Sequence, residues 1–526
     1  MIVWLDDTAG ENTVSVNSVT AEGDGVPAPV PFFPFIDKYG QYKHTDWPDK
    51  IYTDEDFKAD LAKEKDEAAR HPGPTNWDRY GGWKDGPKQQ ATGHFYTKKI
   101  DGKWWLVDPD GNLFWSYGPT GVGFGGDRSP VTDKEKWFEQ LPAKDGPFAK
   151  YWADGKGAGA RYYKDGKAWT SFSFASANIE RKYGPNWREE TADFLHQRLR
   201  NWGLNTMANW SDAAVYLKHK TPYTVTLGTG SGNGFPDVFS SEFAKSLNAQ
   251  MDKQAGTTAG DPFNIGYFVD NELGWGSKPD GEAVVLELFK AAPTSASKQA
   301  MIKALEDKYL QPAELNAVWG TDYTTWDQML ESRDALQAKN TQAASVDLQH
   351  FGNKLVEKYF STVRAAVKRG APNNLYLGCR FHGSIHMSVL ETAAKYVDVV
   401  SYNYYDVPTP LIRRYAKKID KPFIISEFSV GSDIGRTPFR GSRLTMLPKA
   451  RLDFLEKSLK DGFENANVVG MHYFQFRDQP LSARPDGEGT LRGFVNVADT
   501  PHFDLVQQSQ RLASTMYEVR MNGKAE

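Results

Sequence analysis

The sequence predicts an α/β protein built as a (β/α)8 TIM barrel with a short N-terminal β-rich accessory segment. Three observations carry that expectation. Short apolar runs rich in β-branched and aromatic residues alternate with segments of helical period, the pattern of βα units around a parallel sheet. About eight such runs occur. The chain has 526 residues, enough for the roughly 250 of such a barrel with long insertions.

Taken in order, residues 1–92 are polar and turn-rich, with a Pro-rich stretch at Val26–Pro34 and a charged helical run at Asp54–Arg70 ended by His71-Pro72-Gly73-Pro74. They read as an N-terminal accessory region packing on the barrel, and the charged run reads as a solvated face. Residues 93–526 read as the catalytic barrel with a hairpin lead-in, whose turns fall at Asp101-Gly102 and Asp110-Gly111, pairs that tolerate positive φ. The barrel strands are expected at Leu113–Gly118, Thr206–Trp210, Tyr223–Leu227, Ile265–Val269, Leu375–Phe381, Val399–Tyr404, Phe423–Ser426 and Val468–Phe474. Helices are expected at Thr191–Trp202, Ser241–Gln254, Leu348–Arg369 and Ala450–Glu464, where apolar residues recur three and four apart. The long gaps between strands one and two and between strands four and five belong in loops at the strands' C-terminal ends, where barrel enzymes build their sites.

Composition narrows the function. With 63 Lys+Arg against 67 Asp+Glu, the formal charge of −4 gives no basic field for nucleic acid. No apolar run of about 18 residues is present to span a bilayer, and the opening residues do not read as a signal peptide. The single cysteine, Cys379, excludes an intrachain disulfide and a cysteine-based zinc cluster. Aromatic residues reach 13%, an excess that suits a site stacking on sugar rings as well as a core. Gly228-Thr229-Gly230-Ser231-Gly232-Asn233-Gly234 lacks the Lys-Ser/Thr and the following helix of a phosphate loop and reads as a cleft loop. Asp108-Pro109-Asp110-Gly111-Asn112 reads as a turn, lacking the distal bidentate Glu of a calcium loop.

Two carboxylates follow apolar strands: Glu272, in Asp270-Asn271-Glu272 after the fourth, and Glu427, after the seventh. Across a barrel mouth such ends bring two carboxyl groups together, and glycoside cleavage with retention needs them about 5 to 5.5 Å apart. One attacks the anomeric carbon and the other protonates the leaving oxygen. Asn271 offers an amide donor to the sugar 2-hydroxyl. Other candidates for substrate contact are Asn209 and Trp210 after strand two, His382 after strand five, Asn403 and Tyr404 after strand six, Gln475 and Arg477 after strand eight, and Trp275 as a stacking wall beyond Glu272. A tyrosine near strand six is placed to hydrogen-bond the nucleophile. The chemistry calls for no cofactor and no metal.

The motifs match a family. Phe35-Ile36-Asp37-Lys38-Tyr39-Gly40, Trp104-Trp105-Leu106-Val107-Asp108-Pro109-Asp110-Gly111, Gly266-Tyr267-Phe268-Val269-Asp270-Asn271-Glu272, Ser401-Tyr402-Asn403-Tyr404-Tyr405, Ile425-Ser426-Glu427-Phe428 and Phe474-Gln475-Phe476-Arg477-Asp478-Gln479 occur in the order of the β-agarases of glycoside hydrolase family 50, a retaining clan A family that residues 30–515 resemble. The resemblance implies Glu272 as acid/base, Glu427 as nucleophile, exo-type action on the β-1,4-galactosidic bonds of agarose or a related red-algal galactan, and a secreted or periplasmic location. Residues 315–326 also resemble family 42 β-galactosidases of the same clan. The chain departs from the family pattern at Ser429, Tyr473 and Arg477, where the family has His, Trp and Gly. Arg436, Arg440, Arg477, Arg484 and Arg492 can form a positive rim suited to sulfate. Two alternatives therefore stand beside agarose cleavage: hydrolysis of a sulfated galactan (porphyran or carrageenan) or exo-β-galactosidase action. A non-catalytic galactan-binding protein is the reading from another class.

Overall fold

The computed structural model describes residues 31–155, 163, 167–230, 234–429, 431–432, 445–446 and 448–523. The Asp-Gly turns act as expected: β1 (Tyr96–Ile100), β2 (Lys103–Val107) and β3 (Leu113–Phe114) form an antiparallel sheet with Ile100 opposite Lys103, and Asp101 and Gly102 both have positive φ. Three further short strands, β5 (Ser129–Pro130), β6 (Trp152–Gly155) and β7 (Trp169–Phe172), make a second antiparallel sheet ordered β5-β7-β6.

The framework of the site is parallel. One sheet is ordered β11-β12-β15-β4, from Val400–Asn403, Phe423–Phe428, Val468–Tyr473 and Ser116–Pro119. Another is ordered β10-β9-β8, from Leu375–Tyr376, Asn264–Val269 and Tyr223–Leu227. A two-residue parallel pair, β13 (Gly431–Ser432) with β14 (Thr445–Met446), stands apart.

Two expected strands are reduced. Thr206–Trp210 pairs only through the bridge Met207 to Tyr223 and bonds such as Ala208 N to Pro119 O at 3.0 Å. Beyond Tyr376 the Leu375–Phe381 run keeps single bonds, Leu377 N to Tyr267 O at 2.8 Å and Phe381 N to Ser401 O at 3.0 Å. The reason is local: Trp210, Gly378 and Arg380 have positive φ, which bends the chain out of a regular ladder. Gly118 lets the first of these segments approach, since a Cβ there would lie 1.7 Å from the Thr206 carbonyl oxygen.

Expected helices are present with shifted ends, at Trp187–Asn201, Ser241–Asp252, Thr341–Gly370 and Pro448–Glu464. The gap after β9 holds four more, Glu282–Leu288, Ala296–Tyr309, Pro312–Trp319 and Trp326–Glu331. Ile265, Leu375, Leu377, Val399, Ile424 and Val469 from both parallel sheets share one apolar cluster with Phe95, Leu106 and Phe114 of the lead-in sheet, so the hairpins cover the end of the strands away from the site. Among the described residues no helix is long and apolar enough to cross a membrane.

The helix Asp54–Arg70 spans its expected residues, but its face is not wholly solvated. Asp60 and Glu64 are buried and ion-paired with Lys182, and Glu64 also with Arg198. Both cations reach Asp499, which Arg477 bonds from the other side. A charged sequence run hides this because its period is helical for buried and exposed charges alike.

Candidate active site

Glu272 and Glu427 line the same cleft, of about 1280 Å³, with Asn271, Trp210, His382, Tyr405, Gln475 and Arg477. Glu427 lies within β12 and is only 4% exposed, whereas Glu272 is partly open to solvent three residues beyond β9. The backbone is strained where it delivers these groups: φ is 63° at Asp270, 53° at Glu272, 55° at Arg380 and 61° at Trp210. Four non-glycine residues in the left-handed region at strand ends are a cost that surrounding structure must enforce.

Hydrogen bonds join the two carboxylates through three side chains. Arg380 Nη2 donates to Glu427 Oε1, and Arg380 Nε donates to Asn271 Oδ1 at 2.8 Å. Asn403 Nδ2 donates to Asn271 Oδ1 at 3.1 Å and to Glu272 Oε1 at 2.8 Å, while Ser426 Oγ donates to Asn403 Oδ1 at 2.7 Å and fixes that amide. The Tyr405 hydroxyl donates to Glu427 Oε2. Burial pushes the Glu427 carboxyl above its ordinary pKa; Arg380 and the Tyr405 hydroxyl pull it down, and Glu272 adds to the rise. His472, beneath the site with Nε2 2.9 Å from Ser116 Oγ, is driven by burial and then by Arg380 down to about 3, so it stays neutral and is no proton donor.

The other expected contacts divide. Trp210 is 48% exposed in the cleft, His382 is exposed there, and Gln475 Nε2 donates to Asp127 Oδ2 at 2.8 Å. Asn403 works through the carboxylates. Asn209 is buried, accepting from Thr224 Oγ1 at 3.2 Å, and is not among the lining residues. Tyr404 is also absent from the lining; its neighbour Tyr405, in the bend that follows β11, meets Glu427 instead.

Trp275 is not a stacking wall: its ring is fully buried, 5.3 Å from Phe360 and 4.8 Å from Phe235 between ring centroids, with Tyr359 and Phe381 beside it. Phe235 and the helix Thr341–Gly370 supply this apolar enclosure, contacts too distant in sequence to foresee. The positive rim is also corrected. Arg477 is committed to Asp499 at 2.7 Å, Arg492 to Glu488 at 2.9 Å, and Arg484 to Asp486 and Glu488. Arg436 and Arg440 lie outside the described residues. Sequence reasoning missed Arg380, whose signal was its place beside a strand end next to His382.

The chain is similar to β-agarases. β-Agarase B of Vibrio sp. (strain JT0107) is 33% identical over 529 residues, covering 92% of this chain and 55% of that protein. β-Agarase A of the same organism is 30% identical, covering 88% of this chain and 50% of that protein. The chain thus spans about half the length of the curated relatives it matches. The crystal structure of an agarase superposes with a TM-score of 0.81 at 27% identity, over 93% of this chain and 74% of that one. A solved exo-β-agarase gives 0.81 at 28% identity with the same coverage. The glycoside hydrolase family 42 model, described as β-galactosidase, matches residues 234–439, a span that includes Glu272 and Glu427.

Proposed function

We propose that the chain is a retaining glycoside hydrolase that cleaves β-1,4-galactosidic bonds of agarose or a closely related neutral galactan. The observation that carries the reading is the pair Glu272 and Glu427 in one cleft, linked through Asn403, Asn271 and Arg380. Glu427 attacks the anomeric carbon while Glu272 gives its proton to the departing glycosidic oxygen. Glu272 then takes a proton from water, which attacks the glycosyl ester and releases Glu427. Their exposures suit these roles: the buried carboxylate meets the sugar, and the partly open one exchanges protons with solvent.

Two further parts of the reading concern architecture. The parallel sheets are arcs of one (β/α)8 barrel, supported by the bridges at Met207 and Phe381 and by the apolar cluster shared between the sheets. Residues 1–92 form an accessory region on it, supported by the ion pairs of Asp60 and Glu64.

Charge favours a neutral substrate over a sulfated one. Among the described residues the cleft is lined by six carboxylates against three guanidiniums, and the three arginines are ion-paired. Exo action and a secreted or periplasmic location rest on likeness to the agarases, one of them an exo-β-agarase.

Products from agarose, porphyran and carrageenans, compared in parallel, test the substrate. Disaccharide release from agarose with little early loss of viscosity is expected. Turnover of porphyran or carrageenan alone would overturn the neutral-galactan reading, and binding without reducing-end release from any of them would overturn hydrolysis. Glu272→Ala should impair substrates with poor leaving groups far more than activated aryl glycosides.

A further inference from the structure

We propose that Arg380 is a positioning residue whose one guanidinium sets the geometry of the nucleophile, the Asn271 amide and the Trp210 ring together. The inference rests on the reading that Glu427 and Glu272 carry the chemistry.

Arg380 is fully buried. Its Nη2 grips Glu427 Oε1, its Nε donates to Asn271 Oδ1 at 2.8 Å, and its Cζ lies over the Trp210 ring, 4.6 Å from the centroid. A guanidinium has its donors in a fixed fork, so holding one carboxylate oxygen also fixes where the other nitrogens point. The consequence for Asn271 is specific. Its Oδ1 accepts from both Arg380 Nε and Asn403 Nδ2, which decides which end of the amide is oxygen. Its NH2 is left as the group free to donate toward the cleft that Asn271 lines. Trp210, half-exposed above the guanidinium, is placed by the same cation to receive a sugar face.

The charge matters as well as the fork. Among the described residues the groups that face Glu427 are Arg380, Tyr405 and Glu272. Arg380 in turn faces Glu427, Tyr405, Glu272 and the neutral His472, and Arg492 acts on the Tyr405 hydroxyl. Arg380 is thus the cation in contact with the nucleophile, and it favours the ionised form that attacks. Without it the Glu427 carboxyl rises further, and the acid limb of kcat/KM moves to higher pH.

Arg380→Lys keeps a charge but cannot span Glu427 and Asn271 with one planar fork, and Arg380→Gln removes the charge at similar length. For both, kcat should fall about 100-fold or more with a smaller change in KM, the loss typical of one preorganised donor. The acid limb should move up, further for Gln than for Lys. A merely structural role would lower the melting temperature and leave the acid limb in place; folded variants with an unmoved limb and kcat within about threefold of wild type, a change of only about 0.7 kcal/mol, would overturn the proposal.

Should neither variant fold, spectra of the wild-type protein carrying 15N-arginine decide. Trapping Glu427 as a 2-fluoroglycosyl ester should shift the Arg380 Nη resonance, and an unmoved resonance overturns the proposal. Glu427→Ala run in parallel separates the two levels: wild-type turnover there sinks the nucleophile assignment itself, whereas lost turnover there with an unmoved Arg380 profile sinks only the present inference.

Discussion

Asp499 and Glu427 are both buried carboxylates bonded by arginine, yet their chemistry diverges. Burial opposes ionisation of Asp499, but Arg198, Arg477 and Lys182 outweigh it and hold that carboxyl far below the ordinary range. Among the described residues Glu427 meets one arginine, a tyrosine hydroxyl and a second carboxylate, and its pKa stays above the ordinary value. The number of cations around a buried acid therefore separates a permanent anion, which ties elements together, from one whose affinity for a proton remains high. Asp108 marks the far end of this series: its main charged neighbour is another acid, Asp78, and burial followed by that neighbour lifts it to about 8.

The largest effect that can break the comparison is on turnover. Glu427→Ala should remove about 10⁴-fold or more of kcat, with partial rescue by azide on an activated substrate. Asp499→Ala should leave kcat far less affected but destabilise the fold by about 3–5 kcal/mol, because three buried cations lose their shared partner; urea unfolding measures it. If Asp499→Ala unfolds at the wild-type midpoint, the division between a structural and a chemical carboxylate fails.

Tyr405→Phe removes one donor to ionised Glu427. It should cost about tenfold in kcat and raise the acid limb, which a pH profile of kcat/KM reads directly. The smallest effect concerns Asp108. Its folded pKa lies above its unfolded value, so the stability its proton contributes is fully present below about pH 4 and is lost progressively as pH rises to about 8. Asp108→Asn should flatten the decline of the melting temperature between about pH 4 and 8 by a few degrees; a slope equal to wild type counts against a protonated Asp108.

Much of this arrangement was legible in the sequence, and the illegible part has a common cause. Strand-end placement marks Glu272, Asn271 and Glu427 because a parallel strand delivers its C-terminal residues to one rim, and this needs only local pattern. The helices and Asp-Gly turns are local too. What failed were assignments that depend on partners far along the chain. Trp275 beside a catalytic motif looks like a cleft residue until Phe235, Tyr359 and Phe360 enclose it. Arg477, Arg484 and Arg492 look like a sulfate rim until Asp499, Asp486 and Glu488 claim them. Tyr404 and Tyr405 are distinguishable only once the bend after β11 turns the Tyr405 hydroxyl onto Glu427.

The helix Asp54–Arg70 contributes Asp60 and Glu64 to a chain of opposite charges that runs through Lys182, Arg198 and Asp499 to Arg477 in the cleft wall. Any shortening that discards this helix would strand two interior cations with much of their countercharge gone, and the mismatch would be felt at the cleft wall. The helix Asp54–Arg70 is a keystone: an engineer trimming the chain must retain it or replace its acids from elsewhere.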